Sequence, residues 1–187
     1  MPKLFMLILG ATPKSRRIEQ HDIFFGIADE IKSLIPHLID AWEEAEGNIH
    51  VDAWREVTFV DGCQIKIVAK TNVGDYNHSH QNKLFFLNLG GYKMGEFEEY
   101  HYKMLVACNS RTEAIAQAKQ TAFYKHTGFA GATSHIDDRY GVDVDDVYQI
   151  EDILPNYFKE KYTIEISKAE EVEEDELHIG YYKLSKL

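Results

Sequence analysis

Residues 3–10 read KLFMLILG, and residues 83–90 repeat them as KLFFLNLG. Ten residues separate the final glycine of each segment from a histidine, and a glutamate precedes each histidine by two positions. Because the spacing is the same in both places, we infer an internal duplication. The unbroken apolar run in each segment predicts a strand that is buried on both faces and lies centrally in its sheet.

The first copy is predicted to form a β-β-α-β-β unit. Its helix carries apolar residues at spacings of three and four. Pro36 falls within that pattern and is expected to kink or divide the helix. The dipeptide Asp61-Gly62 is typical of a hairpin turn. The predicted strands are residues 3–9, 19–28, 50–60 and 64–69.

The second copy repeats this order less completely. A helix is predicted from about residue 110 to 126, with Ser110 and Glu113 as a capping box. Two later strands, predicted at residues 162–167 and 177–184, are assigned to the second copy. The predicted fold class is α+β: a tandem duplication with mainly antiparallel sheet, one helix per repeat and pseudo-twofold symmetry.

The predicted domains are a first repeat at residues 1–70, a linker at 71–82 and a second repeat at 83–187. The linker is rich in turn-forming residues and has no apolar period. Units of this size bury only a modest fraction of their surface when they fold alone. We therefore expect the two repeats to pack together as one body.

Each copy also carries a Glu-x-His pair and a His-x-Asp pair. Residues two apart in a strand share a face, and both residue types are ligands of first-row metal ions. If the two strands are neighbours, the four groups of one copy converge in a metal site or an acid-base site. The alternative is that they are polar anchors of the strands. The candidate residues are Glu19, His21, His50 and Asp52 in the first copy and Glu99, His101, His135 and Asp137 in the second.

The second His-x-Asp pair matches the first only if a short insertion lies between the second helix and the following strand. Such an insertion is cheap because the cost of closing a loop grows slowly with length. The third strand of the second copy is therefore predicted at residues 135–144. Strand alternation in the first copy further predicts that Trp54 shares a face with His50 and Asp52.

The loop after the first strand is basic, with Lys14, Arg16 and Arg17 close together. This loop could hold an anionic ligand, or it is simply an exposed hairpin loop. It lacks the glycine and lysine pattern of a phosphate-binding loop, and no dinucleotide fingerprint or HExxH motif is present. No cofactor is identified from a motif, and a divalent metal ion is the one cofactor that we consider.

The formal net charge of -11 argues against binding to nucleic acids or anionic membranes, because both need a clustered positive field. An acidic run at residues 170–176 is expected to form a solvated surface. The longest apolar run near the start is too short for a transmembrane helix. We expect a soluble, acidic, cytoplasmic protein.

The sequence also resembles the DUF1543 family. The resemblance is carried by the KLF-x-L-x-LG start, by Glu19-x-His21-Asp22 and by residues 50–62, and it is weaker over residues 83–150. It implies one or two copies of a domain of unknown function, and it assigns no activity.

Three hypotheses about function remain. The first is a scaffold that binds a small ligand or a protein, with a groove between the repeats. The second is a metal-dependent, hydrolase-like enzyme that uses the Glu-x-His and His-x-Asp pairs. The third is a homodimer formed through an open sheet edge. The sequence does not decide whether the protein is an enzyme.

Overall fold

The computed structural model describes residues 1–70, 82–92, 95–121, 142–170 and 173–187. Every strand pair in these ranges is antiparallel, and the helices are short, so the fold is α+β as predicted. The chain divides into two compact units. Unit 1 comprises Met1–Gly74 together with Leu154–Leu187, and unit 2 comprises Asp75–Ile153.

The strands, in chain order, are β1 (Lys3–Ala11), β2 (Gln20–Ala28), β3 (His50–Glu56), β4 (Phe59–Val60), β5 (Cys63–Ala69), β6 (Lys83–Tyr92), β7 (Glu99–Cys108), β8 (Val142–Gln149), β9 (Tyr162–Lys168) and β10 (His178–Lys183). The α-helices are α1 (Ile35–Ala41), α2 (Arg111–Ala118), α3 (Ile150–Ile153) and α4 (Asn156–Lys161). Short 3-10 turns lie at Ile31–Leu34, Glu43–Ala45 and Leu184–Lys186.

The main sheet of unit 1 has the strand order β10-β3-β1-β2, and a second sheet has the order β4-β5-β9. Strand β1 is central, and Leu4, Phe5, Leu7 and Leu9 are buried along it, as its apolar run predicts. The Asp61-Gly62 turn is also confirmed, because both residues adopt positive φ angles between the paired strands β4 and β5.

Pro36 divides the first helical segment, as predicted. A 3-10 turn ends at Leu34, and α1 begins at Ile35 with the proline in its first turn, where no backbone N–H is needed. Leu34 and Leu38 are buried. A Cβ atom on Gly26 of β2 would lie 2.8 Å from Leu34, so this glycine allows the turn to approach the sheet closely.

The C-terminal strands do not belong with the second repeat, contrary to the sequence-based assignment. Strand β10 pairs with β3, and β9 pairs with β5 along its whole length. These strands are therefore part of unit 1. Alternation located the strands correctly, but it carries no information about which distant strand each one pairs with.

The acidic run is not wholly solvated either. The side chain of Asp175 is only 1% exposed, and its Oδ1 accepts hydrogen bonds from Thr58 N, Thr58 Oγ1 and Phe59 N. This carboxylate joins the segment before β10 to the start of the β4-β5 hairpin. The carboxylate of Asp175 therefore anchors the C-terminal segment to unit 1.

Unit 2 contains the sheet β7-β6-β8, with α2 packed against all three strands. Its core includes Phe85, Leu87, Leu89, Val106, Ala114 and Ala118. The capping contact is present, because Ser110 Oγ accepts a hydrogen bond from Glu113 N at 3.2 Å. The helix ends at Ala118 within the described residues, short of the predicted end.

The two units share one strand register. Gly10 lies opposite His21 on β2 and opposite His50 on β3. Gly90 lies opposite His101 on β7 and opposite Asp143 on β8. The strand that pairs with this side of β6 is Val142–Gln149, and the position opposite Gly90 is Asp143, so the predicted match of His50 with His135 is wrong. Residues 135–141 of the predicted strand lie outside the described part of the chain.

Candidate functional site

The candidate site of unit 1 is centred on a glycine. Residues that face each other on antiparallel strands project their side chains to the same side of the sheet. His21 on β2 and His50 on β3 both face Gly10 on β1. From the sequence we expected the two histidines to meet only if β2 and β3 were neighbouring strands. They instead flank β1, and the imidazoles share the space above a residue that has no side chain.

A β-bulge brings Asp52 to the same place. Ile8 pairs with Ala53 and Leu9 pairs with Val51, so Asp52 is the extra residue of β3. Bulges of this kind redirect a side chain and are common beside functional sites. The bulge also shifts the alternation of β3, so Trp54 pairs with the buried Leu7 and lies on the face opposite His50. The predicted placement of Trp54 is therefore wrong.

Glu19, just before β2, completes a set of four side chains that we call the four-residue cluster: Glu19, His21, His50 and Asp52. His50 Nε2 lies 3.1 Å from Glu19 Oε1 and 3.1 Å from Asp52 Oδ1. His21 Nε2 lies 3.4 Å from Glu19 Oε2 and 3.3 Å from Asp52 Oδ2. Imidazoles and carboxylates therefore alternate around the cluster, and each carboxylate turns one oxygen to each histidine.

Two of these atoms form no hydrogen bond despite the short distances. His50 Nε2 and Asp52 Oδ2 are both buried, and neither has a hydrogen-bond partner. The atoms are close enough to bond, but their directions do not match. Buried polar groups without a partner are rare and costly, so such a pair calls for an explanation.

The cluster is closed on one side and open on the other. His50 forms its floor, with a side chain that is 8% exposed, whereas the side chains of Glu19 and His21 are 43% and 46% exposed. The ring of Tyr181 from β10 stacks on the His50 ring, with 4.2 Å between the ring centroids. Solvent therefore reaches the cluster from the side of Glu19 and His21.

The nitrogen-to-oxygen distances in the cluster are similar to the ligand spacing of a tetrahedral ion, although they involve both oxygens of each carboxylate. Zinc bonds to nitrogen and oxygen ligands measure about 2.0–2.1 Å, so neighbouring ligands of a tetrahedral site lie roughly 3.3–3.4 Å apart. The four nitrogen-to-oxygen distances, 3.1 to 3.4 Å, lie at or just below that range. As the side chains stand, however, no group of three or more His, Cys, Asp and Glu residues in the described part of the chain meets the full geometry of a metal site.

The second copy does not reproduce this arrangement in the residues that the structure describes. His101 Nε2 lies 4.0 Å from Glu99 Oε2, and His101 Nδ1 lies 3.2 Å from the side-chain nitrogen of Asn88. The corresponding position in unit 1 is Ile8, which cannot bond to His21. His135 and Asp137 lie outside the described residues.

The basic loop lies at the same end of β1 and β2 as the cluster. Lys14, Arg16 and Arg17 are exposed between the two strands, and Arg17 Nη1 donates to Ser15 O at 3.4 Å. The loop reaches β2 through Glu19. It is thus an exposed hairpin loop, and its role in holding an anion stays a prediction.

Unit 2 has a cavity of its own, of about 470 Å³, at the start of α2 and the ends of β6 and β8. Lys83 and Arg111 contribute positive charge to its lining, and Asp146 and Asp152 contribute negative charge. Because these charges offset each other, the lining does not select a ligand class. The cavity is therefore a weaker candidate than the four-residue cluster.

Two residues of the site were not identified from the sequence. Gly10 was expected to end a strand, but it lies within β1 and makes room for the His50 imidazole and the Asp52 carboxylate. Its repetition as Gly90 was the available signal. Tyr181 had no signal, because its place beside His50 depends on the pairing of β10 with β3.

Comparisons with known proteins place the fold. A crystal structure of the protein Il1583 from Idiomarina loihiensis superposes with a TM-score of 0.65, at 20% sequence identity and with 98% of each chain covered. Likeness at this identity concerns the fold alone. A search of curated proteins found no match to this chain. None of the helices in the described ranges is long and apolar enough to span a membrane. Residues 16–67 match the model of a family described as Domain of Unknown Function (DUF1543), which confirms the predicted resemblance over that segment.

Proposed function

We propose that unit 1 binds a divalent transition-metal ion within the four-residue cluster, through His21, His50 and Asp52, with Glu19 next to the ion. The observation that carries this proposal is the buried, unpartnered Nε2 of His50, which lies 3.1 Å from two carboxylate oxygens. A cation at the centre of the cluster would give this nitrogen a partner. It would also offset the charge of two carboxylates held close together. Neutral imidazole and carboxylate together are the ligand set of zinc and related ions.

The ion would serve a reaction or a binding event with a small ligand. A purely structural zinc site is closed by four protein ligands, whereas a catalytic site keeps a position for water. Glu19 and His21 are the exposed half of the cluster. An ion held by His21, His50 and Asp52 would supply a nucleophile by lowering the pKa of a bound water molecule. The Glu19 carboxylate would accept the proton that this water loses and return it to the alcohol that leaves an ester or phosphoester of the ligand.

The competing proposal is a scaffold that binds a small ligand or a protein without converting it. It shares the same residues, and it differs in predicting no turnover. The solvent-accessible side of the cluster would admit a ligand in either version, so turnover is the property that separates the two.

The first experiment is metal titration of chelator-treated protein, by calorimetry and by thermal unfolding, with zinc, cobalt and manganese. We expect one ion to bind with one-to-one stoichiometry. At about a hundredfold excess over Kd it should stabilise the protein by about 2.7 kcal/mol. His50→Ala and Asp52→Ala should abolish this binding. His101→Ala, the matched variant in unit 2, should leave it unchanged.

Absence of binding by all three ions would overturn the metal proposal. So would unchanged affinity in the folded His50→Ala variant. Turnover is then tested on the metal-loaded protein with 4-nitrophenyl acetate and bis(4-nitrophenyl) phosphate. Hydrolysis that needs the ion and is lost in Glu19→Gln supports the enzyme. Tight metal binding without hydrolysis of either compound supports the scaffold.

A further inference from the structure

The sheet face that carries the four-residue cluster continues into an apolar row. One step along each strand on the same face, Ile8 pairs with Ile23 on β2 and with Ala53 on β3, and Ala53 pairs with Ile179 on β10. The first three are half-buried, and Ile179 is 75% exposed. An apolar surface with an open end therefore borders the polar cluster directly.

Tyr181 forms the side of this surface nearest the cluster. The register of β10 shifts between Ile179 and Tyr182, and this irregularity includes Tyr181. The phenol ring stacks on His50 at an interplanar angle of 30°, and the residue is 65% exposed. One face of the Tyr181 ring covers a residue of the cluster, and much of the residue remains exposed to solvent.

A wholly polar ligand would leave this surface in water. Burying exposed apolar side chains is favourable, and binding sites commonly combine an apolar wall with a few polar groups that fix orientation. The apolar wall here is continuous with the cluster, so a single small molecule can contact both.

We infer that the ligand of this site is a small molecule whose metal-binding head carries an aromatic or aliphatic group, and that Ile179 and Tyr181 form the wall for that group. The inference about the metal-binding head rests on the proposed function. The wall rests on a separate observation, the strand register and exposure of β10. Both wall residues lie outside the segment that matches the family model.

The test compares two hydroxamates that share one head, acetohydroxamate and benzohydroxamate, in calorimetric titrations of zinc-loaded and of chelator-treated protein. The phenyl group should give benzohydroxamate about tenfold tighter binding than the methyl group gives acetohydroxamate. Ile179→Ser and Tyr181→Ala should each reduce this preference to near unity, and Ile179→Ser should do so without changing the affinity for zinc. Leu177→Ser is the matched control, because Leu177 is also exposed but precedes β10. It should keep the preference.

The outcomes separate the two proposals. If zinc binds but the two hydroxamates bind equally well, the wall is wrong and the metal site stands. If zinc does not bind, the titrations of chelator-treated protein still test the wall. Tighter binding of benzohydroxamate that is lost in Tyr181→Ala would support the wall. Equal or undetectable binding of the two hydroxamates would overturn it. If Leu177→Ser also removed the preference, the effect would belong to the exposed C-terminal segment in general, and the assignment to Ile179 and Tyr181 would be wrong.

Discussion

Gly10 and His50 are cross-strand partners, and a methyl group at position 10 would collide with the imidazole of His50. The same methyl carbon would lie 2.6 Å from Asp52 Oδ2 and 2.8 Å from His50 Cε1. Contacts this short force a neighbouring group to move. The four-residue cluster therefore exists in its present form because residue 10 is a glycine.

Gly10→Ala should both destabilise unit 1 and abolish metal binding. The expected cost in the free energy of unfolding is about 1–3 kcal/mol, because the added carbon overpacks a filled site. Urea unfolding measures the stability, and zinc titration measures the binding.

The control is the double variant Gly10→Ala/His50→Ala. Removing the imidazole vacates most of the space that the new methyl group needs, so most of the cost of Gly10→Ala should disappear in this background. An unchanged cost would show that position 10 acts through something other than His50.

Asp175→Ala should destabilise unit 1 by about 1–3 kcal/mol, because it leaves the donors of Thr58 and Phe59 without their buried acceptor. Glu174→Ala, a neighbouring change at an exposed position, should stay within about 0.5 kcal/mol of the unchanged protein. Urea unfolding distinguishes the two. Equal effects would mean that the buried carboxylate is not an anchor.

Phe158→Ala should cost about 3–5 kcal/mol in unit 1, because this side chain is fully buried and its ring packs edge-on against His37 of α1. Tyr157→Ala removes the adjacent, half-exposed ring, which also contacts His37, and should cost far less. Thermal unfolding of the two variants compares them directly. A similar loss in both would contradict the central role of Phe158 in fixing α4 to α1.

Lys103 of unit 2 gives a pH-dependent prediction. Burial lowers the pKa of its ammonium group below the ordinary value of 10.5. The unfolded chain therefore binds this proton more tightly than the folded chain does. Burial of the charged ammonium group destabilises the folded protein at low pH, and this destabilisation is relieved as the pH rises through the lowered pKa.

Lys103→Met should therefore be more stable than the unchanged protein near neutral pH, and the difference should narrow as the pH approaches 10.5. Urea midpoints measured across that range test this expectation. Lys119→Met, at the exposed end of α2, should show no such narrowing. If the difference in stability between Lys103→Met and the unchanged protein did not vary with pH, the role assigned to desolvation would be wrong.

Local patterns in the sequence predicted the local parts of the fold. The apolar run of β1, the turn at Asp61-Gly62 and the division of the helix at Pro36 each follow from a few adjacent residues, and the structure confirms all three. The strand positions of β9 and β10 were also predicted within a residue or two. Their partners were not, because pairing between distant strands leaves no local trace.

The convergence of the four residues was predicted, but the way in which the strands bring them together was not. Glu19, His21, His50 and Asp52 were all identified from two short pairs, and they do converge. The bulge at Asp52 was missed because one extra residue in a strand breaks alternation without any change in composition. The match of His50 with His135 also failed, because the position opposite Gly90 belongs to Asp143.

The insertion of unit 2 within the sequence of unit 1 sets the order in which the ribosome delivers the parts of the site. Residues 1–52, with the whole four-residue cluster, emerge first, and all of unit 2 follows before β9 and β10 are made. Until then β3 lacks its partner β10 and β5 lacks its partner β9, so each has one open edge, and open edges are prone to pair with other chains. Tyr181 is made after all of these parts, so the nascent protein contains the four-residue cluster long before it contains the residues that we propose as the wall beside it.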